Sequence, residues 1–146
     1  MPFKEIQGDL FKDPDPTDAL AHCVSQDLRM GKGIAKLFKE KFNGFNELKQ
    51  QDKKVGEVAY LHRENRYIFY LITKFSAWDK PTEDDFKKSL VELRNLCEKH
   101  GVTRLSLPRI GAGLDGLRLD FVHDCVSSTF EESNVDVTMY YLPDKR

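Results

Sequence analysis

The segment Pro108-Arg109-Ile110-Gly111-Ala112-Gly113-Leu114-Asp115 constrains this chain more than any other. The residues before it, Arg104-Leu105-Ser106-Leu107, read as a short apolar strand, and Asp120 to about Glu132 reads as a helix. A glycine-rich turn between strand and helix is where α/β proteins hold phosphates. Glycine lets the backbone approach an anion closely, and unpaired N–H groups point at it. A second turn, Arg29-Met30-Gly31-Lys32-Gly33-Ile34, leads into Ile34, Leu37, Phe38 and Phe42 at helical spacing. Two such turns in one small chain suggest a pyrophosphate gripped between them. Asp115 would then stand beside whatever hangs from that pyrophosphate.

The remaining pattern alternates strand and helix. Phe3–Gln7 is a strand candidate, and Ala19–Val24 is an apolar run suited to a strand covered on both faces. Gly56–His62 and Tyr67–Thr73, joined by the polar Arg63–Arg66, predict a hairpin. Thr82 is a helix N-cap candidate followed by Glu83, Asp84 and Asp85, which the helix dipole favours; Phe86, Leu90, Leu93 and Leu96 form the stripe, and Gly101 the stop. Val135–Leu142 closes the pattern as a strand. The expectation is one α/β domain over residues 1–146, a three-layer α/β/α sandwich with a mixed central sheet. Ligands of such sheets sit at the carboxyl ends of the strands, so both glycine turns and Lys74 should meet there.

Composition narrows the function classes. With 23 basic and 24 acidic residues the net charge is -1, so no global basic field attracts nucleic acid, and a local patch stays open. No apolar run approaches the roughly 20 residues of a membrane helix, and Met1–Ile6 is no signal peptide. An intracellular monomer, in nucleus or cytoplasm, is expected. Cys23, Cys97 and Cys125 are odd in number with no C-x-x-C pair, and read as small buried hydrophobes. His22, His62, His100 and His123 show no metal-ligand spacing; His22 reads as a satisfied core or edge histidine. No Walker loop and no G-x-G-x-x-G fingerprint occurs, which disfavours triphosphatase and hydride-transfer chemistry.

Each candidate residue carries two readings. Lys74 is either a solvated lysine at a strand exit or a partly desolvated amine able to attack a carbonyl or anomeric carbon. Asp115 either bonds its own turn or acts as a general acid/base. Asp9 is a turn residue or an acceptor for an exocyclic amine, and Ser25 a turn serine or a ligand donor. Tyr140 and Leu142 belong to the core or pack on a flat aromatic ligand.

Taken together, Gly8-Asp9-Leu10-Phe11, His22-Cys23-Val24-Ser25, Arg29–Ala35, Tyr70–Lys74, Lys80-Pro81-Thr82 and Pro108–Asp115 resemble the macrodomain family of ADP-ribose binders. The resemblance covers nearly the whole chain. It is closest to the single-domain branch of terminal ADP-ribose protein glycohydrolases, also described as O-acetyl-ADP-ribose deacetylases. It implies that Asp9 reads the adenine amino group beside Leu10, and that Tyr140 and Leu142 flank the base. Met30, Gly31, Gly33 and Ile34, with Pro108, Ile110, Gly111, Ala112, Gly113 and Leu114, would grip the diphosphate and distal ribose, and Ser25 would lie near the ligand. Lys74 and Asp115 match the catalytic lysine and aspartate. Ala112 stands where this branch can carry cysteine, a change that preserves the backbone grip.

The resemblance implies a hydrolase acting on ADP-ribosyl esters of glutamate or aspartate, or on O-acetyl-ADP-ribose, without metal or cofactor. Its partners would be ADP-ribose and mono-ADP-ribosylated proteins. The alternative is a reader module that binds ADP-ribose without chemistry. A weaker third reading is another nucleotide-derivative esterase or phosphatase.

Overall fold

A computed structural model describes residues 3–143. Among them the elements run β1 (Phe3–Gln7), β2 (Ala19–Ser25), α1 (Gly33–Phe42), α2 (Phe45–Gln50), β3 (Val58–Arg63), β4 (Arg66–Lys74), α3 (Glu83–Lys99), β5 (Arg104–Leu107), α4 (Leu119–Phe130) and β6 (Asp136–Tyr141). The strand order is β1-β6-β5-β2-β4-β3. All neighbours are parallel except β3, which runs antiparallel to β4. The mixed sheet of the expected three-layer sandwich is therefore present, with the hairpin supplying its one reversed strand.

Strand alternation sends successive side chains to opposite faces, and two cores result. On one face Ala19, Ala21, Phe69, Leu71, Leu105, Val137 and Met139 pack against Phe86, Leu90 and Leu93 of α3 and Val122, Val126 and Phe130 of α4. On the other, Leu20, Val24, Ile68, Tyr70 and Ile72 meet Phe38 of α1 and Leu48 of α2. This double covering is why β2 and β4 are apolar throughout rather than alternating.

Local chemistry sets the element ends. Thr82 caps α3 as expected, its hydroxyl accepting the Asp85 N–H at 3.1 Å. Glu64 and Asn65 take φ of +50° and +69°, which suits the two-residue loop of a tight hairpin. The hairpin pairing reaches Arg63 and Arg66, residues expected to lie in the connection. The strand expected from Gly56 starts at Val58, because Gly56 sits in a turn at φ +91°. Helix α4 ends at Phe130, two residues short of Glu132, and β6 is one residue shorter at each end than expected. Helix α2 was not anticipated at all.

Candidate functional site

Five segments arrive at the carboxyl edge of the sheet. In strand order they are Gly8-Asp9 after β1, Leu142 after β6, the turn 108–115 after β5, the turn 26–33 after β2, and Lys74 at the end of β4. Four inter-strand spacings separate β1 from β4, so this edge spans about 19 Å.

At one end, Lys74 Nζ lies 2.7 Å from Asp115 Oδ1, with the two side chains only 14 and 17 % exposed. The pair joins residues 41 positions apart in sequence. Low exposure strengthens the attraction relative to a surface pair. It also places an amine and a carboxylate where a proton can pass directly between them. The Cys23 thiol lies close by. Burial pushes its pKa up and the Asp115 charge adds to this, against the weaker opposing effects of Thr73 and Lys74. Cys23 is half-buried, and Cys97 and Cys125 are buried.

The two glycine turns meet beside this pair. A Cβ built on Gly33, which has φ +58°, would stand 3.1 Å from Leu114 Cδ1. No side chain caps α1, so the N–H groups of its first turn are open. Among the described residues, the N–H groups of Gly31, Lys32 and Gly33 on one turn, and of Gly111, Gly113 and Leu114 on the other, find no acceptor within the protein. Facing donors of this kind are the physical requirement for holding a diphosphate. Leu28 and Met30 take φ of +57° and +46°, unfavourable for side chains of their size. Their side chains are buried, and the backbone accepts the strain.

At the other end, Asp9 Oδ1 accepts the Phe11 N–H at 2.9 Å. The Asp9 N–H donates to Asp13 Oδ2 at 2.6 Å. Asp9 is thus a turn residue, as one reading held, while its second oxygen has no partner among the described residues. Tyr140 flanks it, since a Cβ on Gly8 would lie 3.0 Å from Tyr140 Cδ1. Leu142 is exposed beyond it.

Not every expected contact is a side-chain contact. Leu10, Met30 and Ile110 bury their side chains in the cores, leaving only backbone to face the edge. Gly31, Gly33, Gly113 and Leu114 are exposed, and Pro108, Ala112 and Ile34 are half-buried. Ser25 donates its hydroxyl to Asp27 Oδ1, within its own turn. His22 departs from expectation. Its ring lies flat on Phe38, centroids 3.8 Å apart at 14°, and both nitrogens lack a well-formed hydrogen bond. Burial pushes its pKa down to about 3, with a loose backbone contact at Cys23 opposing weakly. On that face the ring meets Phe38 and, edge-on at 4.7 Å, Tyr70, whose own hydroxyl is also buried without a partner among the described residues.

Sequence reasoning missed Asp27. Its carboxylate accepts from Ser25 Oγ, from the Arg29 N–H at 3.2 Å and from the Ala77 N–H at 3.1 Å. It ties the exit of β2, the first glycine turn and the loop after β4 into one body. Burial raises its pKa, but these bonds outweigh that and the net shift is downward. Lys80 adds a second tie, donating from Nζ to the Leu114 carbonyl.

Comparison with known proteins bears on the fold and the family. No protein-family model matches the chain. It is 53% identical over 137 residues to the human protein named ADP-ribose glycohydrolase OARD1, covering 94% of this chain and 90% of that one. The macrodomain of Thermus aquaticus DarG superposes with a TM-score of 0.84 at 24% identity, over 95% of this chain and 97% of that one. Thermosipho africanus DarTG, solved in complex with ADP-ribose, gives 0.82 at 22% identity over 99% of this chain and 42% of that one. Such low identities speak for the fold alone, but the human relative is close and nearly full-length. The chain belongs to the macrodomain family, in the branch that contains OARD1.

Proposed function

We propose that this protein is a hydrolase that releases ADP-ribose from ester linkages on glutamate or aspartate side chains, with O-acetyl-ADP-ribose as a second substrate. The observation that carries the reading is the Lys74–Asp115 pair, 2.7 Å apart and mostly buried, beside two turns of unpaired N–H groups. The name of the human relative and the ADP-ribose bound in the Thermosipho structure support it. An edge of about 19 Å suits a ligand whose base, diphosphate and second sugar lie in a row. Asp9 and Tyr140 would take the base, the turns the diphosphate, and Lys74 with Asp115 the distal ribose.

The chemistry follows from the pair. An ammonium has no lone pair, so Lys74 must first lose a proton, and the Asp115 carboxylate is the acceptor within reach. The neutral amine attacks the anomeric carbon of the distal ribose. A nitrogen–carbon bond forms as the bond to the ester oxygen breaks, its electron pair leaving with the acyl carboxylate. Carboxylate is a good leaving group and needs little acid assistance. Asp115 passes the lysine's proton to the departing carboxylate, and, ionised again, takes a proton from water attacking the same carbon; the nitrogen–carbon bond breaks with its electron pair returning to Lys74, and ADP-ribose is released. Each turn donor that meets diphosphate charge binds without reorganisation, since the turns are already formed.

Lys74→Ala should lower turnover of an ADP-ribosyl-glutamate ester by roughly a thousandfold or more, while calorimetry still shows ADP-ribose binding. Asp115→Ala should lower it by about 10²–10⁴-fold and leave a lysine-linked sugar detectable by mass spectrometry. Wild-type turnover in Lys74→Ala would remove the nucleophile. A wild-type protein that retains an ADP-ribosylated target without cleaving it would instead make the chain a reader.

A further inference from the structure

Three large apolar side chains stand exposed around the Lys74–Asp115 pair. Phe75 directly follows the lysine and Leu114 directly precedes the aspartate; Trp78 lies on the same loop as Phe75. Their exposures are 68, 66 and 71 %, and Trp78 is the chain's single tryptophan. Scattered exposed apolar residues are ordinary, but three gathered on two loops at one chemical centre are not.

This rim is held in place. The Ser76 N–H donates to Asp79 Oδ2 and the Asp79 N–H returns to the Ser76 carbonyl, both at 3.1 Å. The Ala77 N–H is fixed by Asp27. The Arg29 guanidinium lies 4.9 Å from the centre of the Trp78 ring. Lys80 joins the far side of the loop to Leu114. Exposed side chains on a braced loop add little to folding, yet they offer rigid contact area whose ordering cost is already met before anything binds.

We propose that Phe75 and Trp78, together with Leu114, are specificity-determining residues that receive the polypeptide carrying the ester, and that they select an apolar residue next to the modified carboxylate. The inference rests on the function proposed above. With the sugar between the turns and the Lys74–Asp115 pair, the departing acyl group points out past Phe75 and Leu114. An acetyl group has too little surface to reach three side chains on two loops. A polypeptide has enough, and the rim protrudes as side chains rather than sinking into a tunnel.

The test compares three substrates. Two are ADP-ribosyl-glutamyl peptides that differ only in leucine or serine beside the modified residue, and the third is O-acetyl-ADP-ribose. The wild type should show a KM about tenfold lower for the leucine peptide. The double variant Phe75→Ser, Trp78→Ser should lose that preference by raising the leucine-peptide KM, with kcat/KM for O-acetyl-ADP-ribose unchanged. Trp78→Ser alone, which leaves the neighbour of Lys74 intact, should shift KM in the same direction. Equal KM values in the wild type, a preference that survives the double variant, or a parallel loss on all three substrates would each overturn the rim. A wild type inactive on all three would overturn the underlying function, and the rim with it.

Discussion

Gly111 has φ +73°, and a Cβ there would lie 2.8 Å from Leu117 Cδ1 and 3.1 Å from Phe86 Cε1. Gly113, two residues on, has open space at the same point. The two glycines therefore differ in what surrounds them: Gly111 is enclosed by Leu117 and Phe86, and Gly113 is open. Gly111→Ala should cost roughly 1–3 kcal/mol in denaturant unfolding through strain and overpacking. Gly113→Ala should stay within about 0.5 kcal/mol and still weaken ADP-ribose binding if the backbone meets the diphosphate there. Unchanged affinity in Gly113→Ala would move the diphosphate off this turn. The glycine turns were legible in the sequence from their residue type, whereas Lys74 and Asp115 each kept two readings until the resemblance paired them, and the structure sets them 2.7 Å apart. Asp27 was not legible, because its role depends on Ala77, 50 positions away. His22 was misread because a strand histidine shows nothing of the apolar wall that faces it.

The elements follow a similar division. Strands β2 and β4 announce themselves through continuous apolar runs, and α3 through its cap and stripe. Helix α2 does not. It has six residues, buries Leu48, and follows Asn43 and Gly44 at φ of +53° and +82°, which read as a turn. A helix so short cannot form alone and depends on β3 and the sheet beneath it. At this scale the braced loop after β4 is the element to perturb. Asp27→Ala removes an acceptor shared by three donors and should cost about 1–3 kcal/mol. Amide exchange at Arg29 and Ala77 should accelerate while β4 stays protected; uniform exchange would deny the tie. Because the folded carboxyl titrates below its ordinary 3.8, this contribution is present above that pH and fades as pH falls through the lower folded value.

Across the whole molecule, acid stability is governed in part by His22. Its pKa is 6.5 when unfolded and about 3 when folded. The unfolded chain thus binds a proton below pH 6.5 that the folded one refuses. The neutral ring's stability is complete above pH 6.5 and is lost at about 1.4 kcal/mol per pH unit down to about 3. Unfolding free energies measured from pH 7 to 5 should fall by roughly 2 kcal/mol from this source, and His22→Leu should flatten that slope. An identical slope in the variant would assign the loss to carboxylates such as Glu5, whose pKa Arg109 and His123 hold down against burial. The sheet order carries one more consequence. β1 pairs along its length with β6, Ile6 opposite Tyr140, although the two are the first and last strands of the described residues. During synthesis the aspartate beside β1 therefore waits for the other four strands and β6 itself to be translated before Tyr140 arrives next to it. A nascent chain can possess its amine and its acid well before Asp9 and Tyr140 come together.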